Sequence, residues 1–243
     1  MWTFCTGTLR APFPSEHAMI VVHHLNNSRS QRVLWLLEEL GLPYEIKRYE
    51  RDPKTMLAPK ALRDIHPLGK SPVVVDGDLV LAESGAIVEY LVDRYGNGRL
   101  KPAPGTPESL RFTYFMHYAE GSAMPPLLLK LVFVRMETAP VPFFAKPVAR
   151  MLARGAQKAF VDPQLKTHLD YLEGEIGKTG WFAGTEFTAA DIQMSFPIEA
   201  ASSRGGLDTS RPHLWAWLQK IHARPAFQAA LARGGEYAFA SPR

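Results

Sequence analysis

The 243-residue sequence predicts a small α/β domain followed by an all-helical one. Three observations carry this prediction. Short strand signals alternate with helical periodicity from Met19 to about Leu91, the pattern of a compact α/β unit. Three glycines and three prolines then crowd into Gly96 to Pro107, as expected of a linker. Beyond that stretch strand signals disappear and only helical periodicity remains. The expected division is therefore an extension over 1–18, an α/β domain over 19–95, a linker over 96–107 and a helical domain over 108–243.

In order, Met19 to Val22 form a short buried-strand signal, and Asn26-Asn27-Ser28-Arg29-Ser30 is a polar turn. Val33, Leu36, Leu37 and Leu40 fall at helical spacing, with Gly41 and Pro43 as the stop. Tyr44 to Arg48 predicts a second strand. The polar stretch from Arg51 to His66 reads as a loop with one short helix over Pro59 to Ile65. Two strands, Pro72 to Val75 and Leu79 to Leu81, flank the hairpin signal Asp76-Gly77-Asp78. A helix from Glu83 or Ser84 carries Ile87, Tyr90 and Leu91 on one face. In the second half, periodicity predicts helices over Leu110 to Met124, Leu127 to Met136, Pro163 to Ile176, Ala189 to Ala201 and His213 to Ala223. Pro140, Pro142 and Pro147 predict a break or mobile segment in Ala139 to Ala156.

Composition narrows the function. At 46% hydrophobic and 21% charged residues the chain can bury a real core. Its longest apolar run, around Leu127 to Val132, is far short of the ~20 residues of a membrane span. Net charge is +4, but Lys and Arg are scattered. That argues against a nucleic-acid partner and suits an anionic small substrate. Cys5 is the single cysteine, so no internal disulfide can form and the cytoplasm is the expected compartment. Met1 to Ala18 lack a continuous apolar stretch; they read as a disordered extension, with Met19 as the functional start.

Several motifs fail on inspection. Gly69-Lys70-Ser71 resembles the end of a phosphate loop, but Asp64 stands where the first glycine belongs and Pro72 where the helix must begin. Lys101 likewise breaks a dinucleotide fingerprint at Gly96-Asn97-Gly98. His23 and His24 are adjacent in a strand, on opposite faces, so they do not share a metal, and no metal site is expected. Two features remain. Pro72 opens a strand without a ladder N–H, which suggests an edge or special turn. Ser84 sits at a strand-to-helix junction, where it can cap the helix or its free N–H groups can receive an anion.

Together, His66-Pro67-Leu68-Gly69-Lys70-Ser71-Pro72-Val73, Asp76-Gly77-Asp78 and Leu81-Ala82-Glu83-Ser84-Gly85-Ala86-Ile87 resemble the glutathione-binding signature of glutathione S-transferases. Asn27 through Glu45 is similar to that family's first turn and helix, especially in bacterial and fungal branches. Thr188-Ala189-Ala190-Asp191, a capping box, resembles the buried motif of its C-terminal domain. The resemblance spans about Met19 to Phe227. It implies a thioredoxin-like N-terminal domain with Pro72 as a cis proline, an all-α C-terminal domain and a homodimer. It also implies a glutathione transferase whose thiolate attacks a hydrophobic electrophile, with glutathione as co-substrate and no metal. By position, Glu83 and Ser84 would take the γ-glutamyl end, the backbone of Ser71 the cysteinyl unit with Pro72 shaping that edge, and Lys70, Arg51 or Lys54 the glycyl carboxylate. Tyr114, Met116, Tyr118 and Met124 are candidates for the electrophile pocket.

At one position the pattern departs. The family activates the thiol with a Tyr, Ser or Cys after the first strand, and a gapless comparison with serine-type classes puts Asn27 there, beside Ser28. An Asn amide can donate to a thiolate, so either residue is a candidate, with Arg29 a weaker contributor. Cys5 lies far upstream, which argues against a mixed-disulfide mechanism. The alternatives are a glutathione-dependent disulfide or peroxide reductase without a protein cysteine, and a noncatalytic glutathione-binding or regulatory protein.

Overall fold

Strand β1 (Ile20–Leu25) organises the first half of the chain, and the computed structural model describes residues 19–240. The expectations for residues 1–18, Cys5 among them, lie outside the described residues. β1 runs parallel to β2 (Tyr44–Tyr49) on one side and antiparallel to β3 (Val73–Asp76) on the other; β3 turns through a hairpin into β4 (Leu79–Ala82). The sheet order is β2-β1-β3-β4. β1 extends three residues past the apolar signal because His23 and His24, polar in sequence, are buried there and partnered: His23 Nδ1 with the Tyr49 hydroxyl and His24 Nδ1 with Ser30 Oγ, each at 2.8 Å. β3 begins at Val73, paired with His23, rather than at Pro72, which has no N–H to contribute.

Helices α1 (Ser30–Leu40), α2 (Lys60–Ile65) and α3 (Ser84–Tyr95) complete the α/β half. α1 is buried almost all round, Val33 to Leu37 being wholly inaccessible, because it lies between the sheet and the second half. It ends at Gly41, whose φ of +69° is the left-handed stop that glycine favours.

The second half is helical: α4 (Pro107–Tyr118), α5 (Met124–Glu137), α6 (Lys146–Ala156), α7 (Asp162–Thr179), α8 (Ala189–Ala200), α9 (Pro212–His222) and α10 (Pro225–Gly234). Two helices expected to be separate, α4 and α5, are joined by a π-turn at Ala119–Ala123, just ahead of Pro125 and Pro126, which have no N–H to donate to the preceding turn. A second π-turn, Gln157–Val161, joins α6 to α7, and a third, Ala201–Gly205, follows α8. The expected break is confined to 138–145; the remainder of that interval is α6.

Every residue of α8 is buried, and it packs against α1, α3, α4 and α9, so the main hydrophobic core runs through both halves, beside a small separate cluster of Leu25, Leu62 and Val73. Its start is fixed by the expected capping box. Thr188 Oγ1 accepts from the Ala190 N–H, and the Thr188 N–H donates to Asp191 Oδ2 at 2.9 Å. Asp191 also accepts from the Phe182 N–H and Trp217 Nε1. Burial pushes its carboxyl up, to about 6, against four donors that favour the ionised form.

Candidate functional site

The polar turn between β1 and α1 is held by a neutral ladder of hydroxyls. Ser28, only 4% exposed, has its Oγ 2.7 Å from Ser30 Oγ, accepts from the Ser30 N–H, and donates to Ser71 Oγ at 3.2 Å. Ser71 Oγ in turn donates to the His23 carbonyl and accepts from the Leu25 N–H. Ser30 Oγ closes the ladder on His24 Nδ1. The end of β1 and the start of α1 are thereby tied to the segment that enters β3, and Ser71 spends its side chain on this joint while its backbone lies ahead of the β3 ladder. The Ser71–Pro72 peptide is cis. Burial, then repulsion from Arg48, depresses the His24 imidazole to about 4, so it sits neutral in this ladder at pH 7.

Asn27 is exposed, with φ +49°, and its Oδ1 accepts from the Ala238 N–H at 2.7 Å. The turn is thus fastened to the C-terminal segment. That segment is itself anchored: the Tyr237 hydroxyl donates to Glu199 Oε2, and the Phe239 ring meets Phe196 at 5.4 Å between centroids.

The other side of the turn is ionic. Arg29 Nε donates to both oxygens of Glu120, at 3.0 and 2.9 Å. Arg32 Nη1 donates to Glu120 Oε1 at 2.6 Å and to Ser84 Oγ at 3.2 Å. Ser84 opens α3 and is also approached by Gln193 Nε2 of α8. Both guanidiniums stand over the Phe196 ring, at 5.1 and 5.3 Å. Arg32 is 1% exposed; burial pulls its affinity for the proton down, and the Glu120 carboxylate opposes that. Burial pushes Glu120 up, but the two arginines outweigh it and hold the carboxyl below its usual range. Glu83, exposed and next to Ser84, adopts φ +70°, ψ 117°, a conformation that a non-glycine residue holds at a cost of about 1–3 kcal/mol.

Further arginines face this cluster. Arg51, whose N–H is held by Asn26 Oδ1, feels burial first and then repulsion from Arg135 and Arg29; Arg204 feels burial and then Arg29 and Arg135. Arg204 also stands over Phe239 at 5.8 Å. Among the described residues Glu120 is the carboxylate that pairs with Arg29 and Arg32, Arg51 and Arg204 add positive charge nearby, and the resulting potential favours an anionic ligand.

Of the residues expected from sequence, Asn27, Ser28, Ser71, Pro72 and Ser84 are linked through the two networks, directly or along the chain, while Glu83 and Lys70 lie exposed beside them. Lys54 is exposed in the loop whose N–H groups are gathered by Asp52. Met116 and Tyr118 of α4 and Met124 of α5 are buried in the core, and Tyr118 faces α7: its ring meets Tyr171 and its hydroxyl meets His168 Nδ1. Tyr114 alone of those four presents an exposed ring, stacked on Tyr118. Sequence reasoning missed Arg32, Glu120, Gln193 and Phe196. Arg32 left a signal, since it shares the stripe of Leu36 and Leu40 at i, i+4 and i+8, where a charge requires a buried partner. Among the described residues no group of three or more His, Cys, Asp or Glu is arranged to hold a metal ion.

The comparisons with known proteins point one way. The N-terminal domain model of glutathione S-transferase matches residues 17–93, and the corresponding C-terminal domain model matches 128–225. Glutathione S-transferase 3 of Schizosaccharomyces pombe is 37% identical over 212 residues, covering 87% of this chain and 86% of that protein. Glutathione S-transferase 1 of Saccharomyces cerevisiae is 33% identical over 220 residues, covering 87% and 94%. Among solved structures, a glutathione S-transferase from Actinobacillus pleuropneumoniae superposes with a TM-score of 0.74 at 30% identity, over 91% of this chain and 95% of that one. A glutathione transferase from Phanerochaete chrysosporium, solved with oxidized glutathione, shares the fold at a TM-score of 0.69 and 21% identity, over 91% and 97%.

Proposed function

The chain belongs to the glutathione S-transferase family, and from that premise we propose that it binds glutathione beside the β1–α1 turn and activates its thiol for attack on a small hydrophobic electrophile. The observation that carries this reading is the unbroken chain Ser84, Arg32, Glu120, Arg29, which couples the start of α3 to the turn at the start of α1. Two helix N-termini and an excess of arginine then address one tripeptide that carries two carboxylates.

In this reading Glu83 and Ser84, backed by Arg32, take the γ-glutamyl end. The Ser71 backbone, shaped by Pro72, pairs with the cysteinyl unit. Lys70, Arg51 or Lys54 meets the glycyl carboxylate. The thiol loses its proton to solvent, and its thiolate is stabilised by a donor at the turn and by the N–H groups opening α1. Its sulfur then forms a bond to the electrophilic carbon while the leaving group departs with the bonding pair. Two observations support Asn27 as the side-chain donor. Ser28 Oγ is engaged in the buried ladder, whereas Asn27 is exposed and uses only its oxygen, which leaves its amide N–H groups to donate. Family membership also supports a homodimer, which light scattering of the purified chain would read directly.

The test is a pH titration of thiolate absorbance for glutathione bound to the protein. Activation predicts a bound-thiol pKa below the ~8.5 of a free thiol. An unshifted value with normal binding would overturn thiol activation and turn attention to disulfide chemistry.

A further inference from the structure

α6 wears its hydrophobicity on the outside. Within the helix the residues withdrawn from solvent are small, Ala149, Ala153 and Ala156, and Gln157, just past its end, is pinned to Glu137 at the end of α5. The large apolar residues lie on the opposite side. Met151 is 64% exposed and Leu152 61%, with Val148 on the same stripe. Just ahead of the helix, a turn closed by the Ala145 N–H and the Pro142 carbonyl carries Phe143, 83% exposed, and Phe144 at its corners. Their rings pack edge to face on each other. A core-seeking amphipathic helix would be rotated by half a turn.

The charge of the same segment says what would cover it. Between Glu137 and Asp162 the sequence has four cations, Lys146, Arg150, Arg154 and Lys158, and no carboxylate. All four are exposed, and in α6 the arginines follow Lys146 at i+4 and i+8, along one flank of the apolar stripe. Arg154 pairs with Glu137 of α5 and remains largely in solvent; Lys146 and Lys158 have no ion pair among the described residues. An exposed apolar stripe flanked by cations, tipped by two phenylalanines, matches the surface of a bilayer that contains anionic lipid, where acyl chains receive the apolar residues and headgroups the cations. A folded protein partner would need a complementary acidic rim around an apolar groove; a membrane supplies both over any area.

We infer that the Phe143–Leu152 segment docks the protein peripherally on anionic membranes. This inference is independent of the glutathione reading. The full chain is mixed with sucrose-loaded vesicles of phosphatidylcholine alone or with phosphatidylserine, and pelleted. The unmodified protein is expected to pellet with the anionic vesicles, about tenfold more than with the neutral ones, and less as salt is raised. Paired substitutions, Met151→Ser with Leu152→Ser or Phe143→Ser with Phe144→Ser, are expected to reduce pelleting about tenfold while circular dichroism and glutathione affinity stay unchanged. Failure of the unmodified protein to pellet with either vesicle overturns the inference. So does a fall in the solution mass of the Met151→Ser, Leu152→Ser protein, which would assign the face to a second copy of the chain.

Discussion

The two sides of the β1–α1 turn are made of opposite chemistry. On one, His24, Ser30, Ser28 and Ser71 hold each other through neutral hydrogen bonds; on the other, Arg29, Glu120 and Arg32 form a chain of charges that ends on the Ser84 hydroxyl. They meet at the Ser28–Arg29 peptide. The neutral side can fix the backbone without adding a field, because each hydroxyl both donates and accepts. The ionic side positions less of the chain but creates the positive potential that an anionic ligand would feel. Separating placement from potential lets each be altered without dismantling the other, and each half of that division can be tested.

The largest effect is expected on the ionic side. Glu120→Ala leaves Arg32 buried without a carboxylate, and urea unfolding should show a loss of about 4 kcal/mol. A loss well under 1 kcal/mol would mean that the pair contributes little and that Ser84 and Phe196 suffice for Arg32. Next comes the acid limit of the neutral side. The folded imidazole of His24 is lowered from 6.5 to about 4, so the unfolded chain takes up the proton first. The contribution is intact above about 6.5 and disappears as pH falls toward 4, a span worth about 3 kcal/mol. His24→Gln should flatten denaturation midpoints across that window; an unchanged slope would place the acid sensitivity elsewhere. Ser84→Ala, read by calorimetry, should weaken glutathione binding about tenfold. The smallest and sharpest contrast is within the turn. Asn27→Ala should raise the bound-thiol pKa by about one unit, whereas Ser28→Ala should lower stability by about 1 kcal/mol and move the thiol less. The reverse pattern would make the ladder itself the activating group.

How much of this was legible depends on range. The strand order, the helices other than α6 and α10, and the capping box at Thr188 and Asp191 are written in local residue types, and local rules read them, whereas the segments holding Ser71 and Ser84 were legible through the family resemblance. Glu120 was invisible because its role needs Arg29 and Arg32, some ninety positions earlier in the chain, and because a π-turn presents it. α6 was missed for a different reason. The three prolines nearby suggested a break, and they do break the chain at 138–145, but Pro147 falls in the first turn of the helix, where its absent N–H does no harm. Met116 and Tyr118 of α4 and Met124 of α5 are buried, and residue type alone does not tell a core face from an open one.

The π-turns have a consequence for how this chain can vary. Two of the three supply charged groups to the cluster beside the β1–α1 turn, Glu120 from Ala119–Ala123 and Arg204 from Ala201–Gly205. A π-turn holds one residue more than the α-helix it interrupts, and each added residue rotates the downstream helix by about 100°. Deleting one residue from Ala119–Ala123 would put Pro125 and Pro126 inside a continuous α-helix, where their rings clash with the preceding turn, and would swing everything after the deletion off its present bearing. A one-residue gap at Ala119–Ala123 would therefore change the bearing of α5 relative to α4, whereas the turn after α8 runs out into a loop before Pro212 and is under no such constraint.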